Sequence, residues 1–328
     1  MTGPAATTDH AARYTDVPVL VLGGAGFVGQ WVAKALARAG AVVHVVSRDA
    51  ARAARVLERR QVDARVIGGD LASSGVATDI VGRVRPAVVF NLAVHGVDPT
   101  ERDADAMMQI NTAVVAELCE AMAAGPAAGW SGLSLVQAGS ALEYGAVQGS
   151  VAEDVPPNPT TAYGRTKLAA TERVSRAASA TGLTAVVARL FTVYGPGEHS
   201  GRLLPDLLRA AATGGRVPLS AGHQRRDFTY VEDVAEALVR LGASSPGPQV
   251  VINVATGRLT SVRSFVETAA DVLGINRGAL DFGALPTRTE EMWHDDVDLS
   301  RLRRQIAWVP STTVADGIRR TREWIHAE

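Results

Sequence analysis

A chain of 328 residues, 47% hydrophobic and 20% charged, is long enough to bury one large core or two smaller ones. Its 33 basic and 34 acidic residues nearly cancel, so neither nucleic acid nor an anionic membrane is an expected partner, and any anion must be met locally. No stretch approaches the ~20 apolar residues of a membrane span, and the opening MTGPAATTDHAARYTD lacks the apolar core of a signal peptide. A single cysteine, Cys119, excludes an internal disulfide and suits the reducing cytoplasm, where packing is its expected role. The seven histidines have no metal-ligand spacing, so no metal is expected.

Residues 1–16 read as a mobile tail. From Pro18, apolar runs alternate with helical patterns: PVLVLGG, FVGQWVAKALARAG, AVVHVVS, an amphipathic stretch from Asp49 to Arg60, ARVIGGD, PAVVFNLA, a long helix from about Arg102 to Ala124, and SLVQAGS. A helix from about Thr161 to Ala180 then leads into TAVVARLFTVYG, a sixth strand. Short β-branched runs without polar alternation are buried on both faces, which implies a doubly wound parallel sheet, a Rossmann fold, covered by helices. After Tyr194 the rhythm breaks at GPGEHSG and TGGRVP, as a smaller mixed α/β lobe over the substrate would require. The expected division is a dinucleotide-binding domain over 17–191 with a return segment near 226–256, and a C-terminal substrate-binding lobe from 192–225 and 257–328.

The loop GGAGFVG places Gly23, Gly24, Gly26 and Gly29 between the first strand and a helix. Glycines permit a tight turn and close backbone approach to a pyrophosphate, which then sits on the unpaired N–H groups of the helix start around Phe27 and Val28. An NAD-preferring site usually ends its second strand with a carboxylate for the ribose 2′-hydroxyl. Here HVVSRD offers Ser47 and Arg48, a hydroxyl and a guanidinium suited to a 2′-phosphate, so NADP(H) is favoured over NAD(H). The alternative is a solvated Arg48 at a helix start, with Asp49 as an ordinary N-cap.

Tyr163-Gly164-Arg165-Thr166-Lys167 puts a phenol and an ammonium four residues apart on one helix face, where the cation would favour the phenolate. With GGAGFVG, GGDL, NLA, Ser140 in GSALEYG, RLFTVYGPG, RRDFTYVEDVAEA and the late WVP, the chain from about Val17 onward resembles the extended short-chain dehydrogenase/reductases, specifically the nucleotide-sugar-modifying NAD-dependent epimerase/dehydratase family. The resemblance implies that Ser140 and Tyr163 hydrogen-bond the reacting sugar oxygen, with Tyr163 as acid/base and Lys167 binding the nicotinamide ribose. It places Asp70 and Leu71 at the adenine, Ala93 in the cofactor channel and Asn111 as a polar helper, with satisfaction of backbone groups inside its helix as the alternative for Asn111. Arg226 and Arg288 match diphosphate-binding positions, with surface salt bridges as the alternative. His95 would stand beside the cofactor or in a solvated loop, and Tyr144 against the sugar, the nicotinamide or the core.

Three departures from the family pattern matter. Leu22 replaces a frequent threonine before the first glycine. Thr192 replaces the asparagine of RLFNVYGP and leaves an expected phosphate contact in doubt. Ala141 and Leu142 stand where sugar 4,6-dehydratases carry the acid or acid pair that elimination of water needs. If the segment is extended, Glu143 points away from Leu142 and Tyr144 and cannot substitute. The reaction expected is therefore NADPH-dependent reduction of a nucleotide-linked 4-keto-6-deoxysugar. The alternative is a 4-epimerase using tightly bound NAD(P), and a third reading is a non-catalytic NADP-binding sensor. Apolar faces on the 102–124 helix and the Tyr163 helix imply a homodimer, because such surface needs cover.

Overall fold

Fourteen strands can be traced among the described residues, which in the computed structural model are 10–97, 101, 103–123, 129–147, 149–287 and 292–327. They are β1 (Pro18–Leu22), β2 (Val42–Ser47), β3 (Arg65–Gly68), β4 (Val88–Asn91), β5 (Leu135–Ser140), β6 (Ser150–Val151), β7 (Ala185–Leu190), β8 (Thr192–Tyr194), β9 (Val217–Leu219), β10 (Arg225–Tyr230), β11 (Val251–Val254), β12 (Leu259–Ser261), β13 (Leu280–Phe282) and β14 (Asp296–Val297). Seven of them form one parallel sheet in the order β11-β7-β5-β4-β1-β2-β3. This is the doubly wound order, with the chain reversing direction across the sheet between β1 and β4.

The helices are α1 (Phe27–Arg38), α2 (Ala50–Arg59), α3 (Val76–Val84), α4 (Ala104–Met108), α5 (Val114–Met122), α6 (Ala162–Thr181), α7 (Leu203–Thr213), α8 (Val231–Ala243), α9 (Val262–Leu273), α10 (Ser300–Ile306) and α11 (Val314–His326). One face of the sheet is sealed by α1, α2 and α8, with Trp31, Leu36, Leu57 and Leu238 in the shared core. The other is sealed by α3, α5 and α6 through Ile80, Leu118, Cys119 and Val174. Burial raises the Cys119 thiol to about 11, as a packed side chain requires. Full burial of each such aliphatic side chain contributes roughly 1.5–3 kcal/mol, which is why these strands tolerate no polar alternation.

Local sequence sets the helix ends. Asp49 caps α2 by accepting from the Arg52 N–H at 2.8 Å, Thr161 caps α6 through the Gly164 N–H at 2.9 Å, and Gly182 ends α6 in the left-handed region at φ 74°. The long helix of the fourth crossover is interrupted by a π turn at Gln109–Ala113 between α4 and α5. The sixth strand divides at Phe191: β7 stays in the main sheet, while β8 joins β10 and β12 in a second, three-stranded sheet. A separate core of Tyr194, Leu207, Phe228, Tyr230 and Phe265 lies under that sheet, with Phe228 and Phe265 stacked at 4.2 Å.

The tail expected over 1–16 is anchored where it is described. Ala12–Tyr14 form a 3-10 turn, Arg13 hydrogen-bonds the Ala243 carbonyl and Ser131, and the fully buried Tyr14 donates its hydroxyl to the Val239 carbonyl at 2.7 Å. An aromatic ring buried against α8 outweighs the flexibility that the polar composition suggested. Among the described residues, no helix is long and apolar enough to cross a membrane.

Candidate active site

Each crossover loop leaves the sheet at the carboxyl end of a strand, and three adjoining cavities open there. The first, about 320 Å³, is lined by Gly23, Gly26, Ser47, Arg48, Asp70, Leu71, Ala93 and His95, and also by Arg52. Gly23 turns the chain at φ 72°, and a Cβ there would come within 2.8 Å of the Leu92 and Ala93 backbone. A Cβ on Gly29 would lie 2.0 Å from the Gly23 carbonyl oxygen, so α1 can approach β1 only through glycine. The Gly26 N–H closes the turn onto the Gly23 carbonyl at 2.9 Å, and Leu22 in place of threonine simply packs in the core. Phe27 and Val28 occupy the first turn of α1, where the Phe27 ring meets His199 at 6.3 Å. A cradle of this kind, open at a helix start, fits a dinucleotide pyrophosphate.

Where β2 ends, Asp49 is engaged as the α2 cap, and Ser47 Oγ donates to the Asp49 carbonyl at 3.1 Å. Arg48 and Arg52 therefore face the first cavity as its two cations. Arg48 is legible from the strand end alone; Arg52 is not, its one signal being its place in the first turn of a helix capped at the edge of this pocket.

The second cavity, about 390 Å³, collects Ser140, Ala141, Leu142, Tyr163, Thr192, Arg226 and His294. Ser140 ends β5, and the next residues form a 3-10 turn, Ala141–Glu143, rather than an extended run. The turn leaves Leu142 exposed to the cavity and drives Glu143 fully inward. Glu143 thus faces away from Leu142 but is buried together with Tyr144, because the segment is a turn and not the extended run that would have put the two on opposite sides. No carboxylate comes from Ala141 or Leu142.

Lys167 lies one helical turn beyond Tyr163 and is buried; loss of solvent lowers its ammonium to about 8, with Glu143 pulling the other way. Tyr163 is partly exposed to the cavity, yet desolvation raises its phenol above the ordinary value, with Glu143 adding to the rise and Arg202 opposing it. Burial moves both groups toward their neutral forms relative to their ordinary values.

Other expected positions are placed differently. Tyr144 is fully buried, with its hydroxyl donating to Asn253 Oδ1 at 2.7 Å and the Arg189 guanidinium 4.3 Å over its ring, so it contacts neither sugar nor nicotinamide. A phenol sealed under the turn is satisfied by the core instead of by a ligand. His95 lies on the first cavity, while its neighbours Gly96 and Val97 reach the second. Arg288 lies outside the described residues.

A third cavity, about 240 Å³, shares Thr192, Arg202 and Arg226 with the second and continues past Glu198 to Gln224, Phe228 and Leu285. Arg202, Arg225 and His294 carry no motif that singles them out in the sequence. Arg225 adjoins Arg226 in β10, and both reach the second cavity. His294 is buried, with neither ring nitrogen hydrogen-bonded among the described residues, and burial and Arg225 keep its pKa below the ordinary value.

Comparison with known proteins accounts for this arrangement. The sequence model of the NAD dependent epimerase/dehydratase family matches residues 19–255. The chain belongs to that family. Within it, the chain is 31% identical over 325 residues to a dTDP-6-deoxy-L-talose 4-dehydrogenase (NAD(P)(+)) of Kitasatospora kifunensis, covering 95% of this chain and 96% of the relative. It is 30% identical to a UDP-glucose 4-epimerase of Azospirillum brasilense, covering 92% and 90%. MoeE5, solved in complex with UDP-glucose and NAD, superposes with a TM-score of 0.80 at 30% identity, covering 94% of this chain and 98% of that one. Membership of the epimerase/dehydratase family makes the protein a Rossmann-type enzyme of nucleotide-sugar chemistry, acting with NAD(P).

Proposed function

We propose that the protein is an NADP(H)-dependent 4-ketoreductase of a nucleotide-linked 6-deoxyhexose. The observation that carries this reading is the pair of guanidinium groups, Arg48 and Arg52, on the first cavity where Asp49 is engaged as the α2 cap. A carboxylate free to hold a 2′-hydroxyl is replaced there by guanidinium groups that suit a 2′-phosphate. When bound, the nicotinamide supplies the hydride; Tyr163 donates the proton to the forming alkoxide oxygen, and Ser140 hydrogen-bonds that oxygen from the end of β5.

Lys167 binds the nicotinamide ribose beneath Tyr163, and Arg226, with Arg202 and Arg225, meets the substrate diphosphate. Thr192 borders the same passage and offers a hydroxyl to the phosphate. The activity of the Kitasatospora relative on a dTDP-6-deoxyhexose supports C4 of such a sugar as the reacting carbon. Homodimer formation through the outer sides of α4–α5 and α6 belongs to this proposal, supported by the exposed Met108 and the half-buried Ala113, Leu168 and Ala169. Light scattering that gives one chain mass at micromolar concentration removes the dimer. A cytoplasmic location is supported by the buried, unpaired Cys119.

A second reading, nucleotide-sugar 4-epimerisation with tightly held NAD, is favoured by the Azospirillum relative and by the NAD-bound MoeE5 structure. One experiment separates the two. The purified protein is given dTDP-6-deoxy-L-talose with NADP, read as absorbance at 340 nm, and in parallel UDP-glucose without added cofactor, read as UDP-galactose. Stoichiometric NADPH formation in the first assay supports the reductase reading through its reverse reaction. UDP-galactose in the second, without NADPH formation in the first, replaces it with epimerisation.

A further inference from the structure

Glu143 is fully buried, lines none of the three cavities, and yet is bonded to β5, α6 and β7. Its Oε1 accepts the backbone N–H of Ser140 at 2.8 Å, while Ser140 Oγ in turn accepts the Leu142 N–H at 3.2 Å, a reciprocal cap over one 3-10 turn. Its Oε2 accepts from Thr171 Oγ1 at 2.7 Å and from Arg189 Nε on β7 at 2.9 Å. Tyr163, Lys167 and Thr171 are spaced by four residues along α6 and so form one stripe of that helix. The carboxylate thus joins the end of β5, the reacting stripe of α6 and β7 at one point.

We propose that Glu143 is the positioning residue of the site: its buried carboxylate fixes Ser140 against the Tyr163–Lys167 stripe and sets its negative charge beside that stripe. The proposal rests on the assignment of Tyr163 and Lys167 as the proton-handling pair. Glu143 touches neither substrate nor cofactor in this role and acts through the turn and the helix.

The titratable groups facing Glu143 are Arg189 on β7, Tyr144 at the end of its own turn, and Tyr163 and Lys167 on α6. On the other side of α6, the π turn before α5 meets the helix through Asn111 and Thr112, which do not titrate. Removing one negative charge from this cluster lowers the proton affinity of Tyr163 and Lys167 alike. A residue that only packed would leave both unmoved.

The chain contains two lysines, Lys34 and Lys167, so carbon-13 labelling at lysine Cε gives two signals, assigned with a Lys34→Arg variant. Titrating the full-length protein by NMR reads the Lys167 midpoint without any substrate. Glu143→Gln is expected to lower that midpoint by about one pH unit, leave Lys34 in place, and move the pH profile of turnover toward lower pH. A Lys167 midpoint equal to that of the parent, or a fall in turnover with an unmoved pH profile, overturns the proposal. Should Glu143→Gln fail to fold, Glu143→Asp carries the same test: withdrawing the charge by one methylene lowers the midpoint by a smaller amount, and an unmoved midpoint again overturns it. A lowered midpoint in a protein inactive on both nucleotide sugars would instead count against the reductase reading while leaving Glu143 in its role.

Discussion

Asn111 holds His95 by both of its backbone groups: Oδ1 accepts the His95 N–H at 2.9 Å and Nδ2 donates to the His95 carbonyl at 2.9 Å. The same Nδ2 donates to Thr166 Oγ1 at 3.0 Å, and Thr166 donates back to the Tyr163 carbonyl at 2.9 Å. One amide therefore couples the loop after β4, on the cofactor side, to the helical turn that carries Tyr163. The π turn at Gln109–Ala113 contains Asn111, and such a one-residue expansion re-aims a side chain that a regular helix would direct elsewhere.

Asn111→Ala leaves the His95 N–H and carbonyl and Thr166 without this partner in a buried setting. Unpaired buried groups cost about 1–3 kcal/mol each before relaxation or water entry, so an overall loss of roughly 2–4 kcal/mol is expected in urea unfolding. Turnover falls as well, because Tyr163 loses its tie to the cofactor loop. A loss below about 0.5 kcal/mol, the usual range for surface changes, contradicts the clamp.

Gly29 tests the cradle directly. An alanine there puts Cβ against the Gly23 carbonyl oxygen, backbone on backbone, with no flexible neighbour to yield. Gly29→Ala is expected to weaken NADPH binding at least tenfold by displacing the helix start from the pyrophosphate, read by fluorescence titration. Unchanged binding would place the pyrophosphate elsewhere.

The ribose end predicts cofactor choice. The parent enzyme is expected to show higher kcat/KM with NADPH than with NADH, and Ser47→Asp to reverse that order by setting a carboxylate against the 2′-phosphate. Arg48→Ala and Arg52→Ala each weaken NADPH and leave NADH nearly unaffected. An NADH preference in the parent removes the NADP assignment and, with it, one support for the reductase reading.

The fold class is legible because β-branched runs such as PVLVL and AVVARL have no polar alternation, which only a sheet covered on both faces permits. The break at Phe191 is not, since TAVVARLFTVYG carries no glycine, proline or turn residue before Gly195 and the chain changes sheets there without a signal. GSALEYG reads as a hydroxyl followed by missing acids, and the geometry keeps that reading. What spacing hides is the inward turn that buries Glu143 and Tyr144, because their partners Arg189 and Asn253 are 46 and 109 residues away. Arg52, Arg202 and His294 escape for the same reason: each reaches a cavity whose other walls come from distant segments.

Glu198 gives a pH prediction with a definite sign. Its side chain is 5% exposed, and burial outweighs Arg202 at 3.3 Å and a backbone hydrogen bond at Gly195, raising its carboxyl from 4.5 to about 7. A raised carboxyl means that the folded state binds the proton more tightly than the unfolded chain between those two values. Stability from this group is fully present below pH 4.5 and is lost as pH rises through about 7. Across that window the loss is at most about 3 kcal/mol, at about 1.36 kcal/mol for each pH unit between the folded and unfolded midpoints. Glu198→Gln removes the titration while keeping the shape, so the stability of the parent relative to the variant should decline from acid to neutral pH. Paired urea unfolding at pH 5 and pH 8 reads the difference. A parent that gains stability over the variant on going to pH 8 would show that Arg202 holds Glu198 as a carboxylate and that its burial is already compensated.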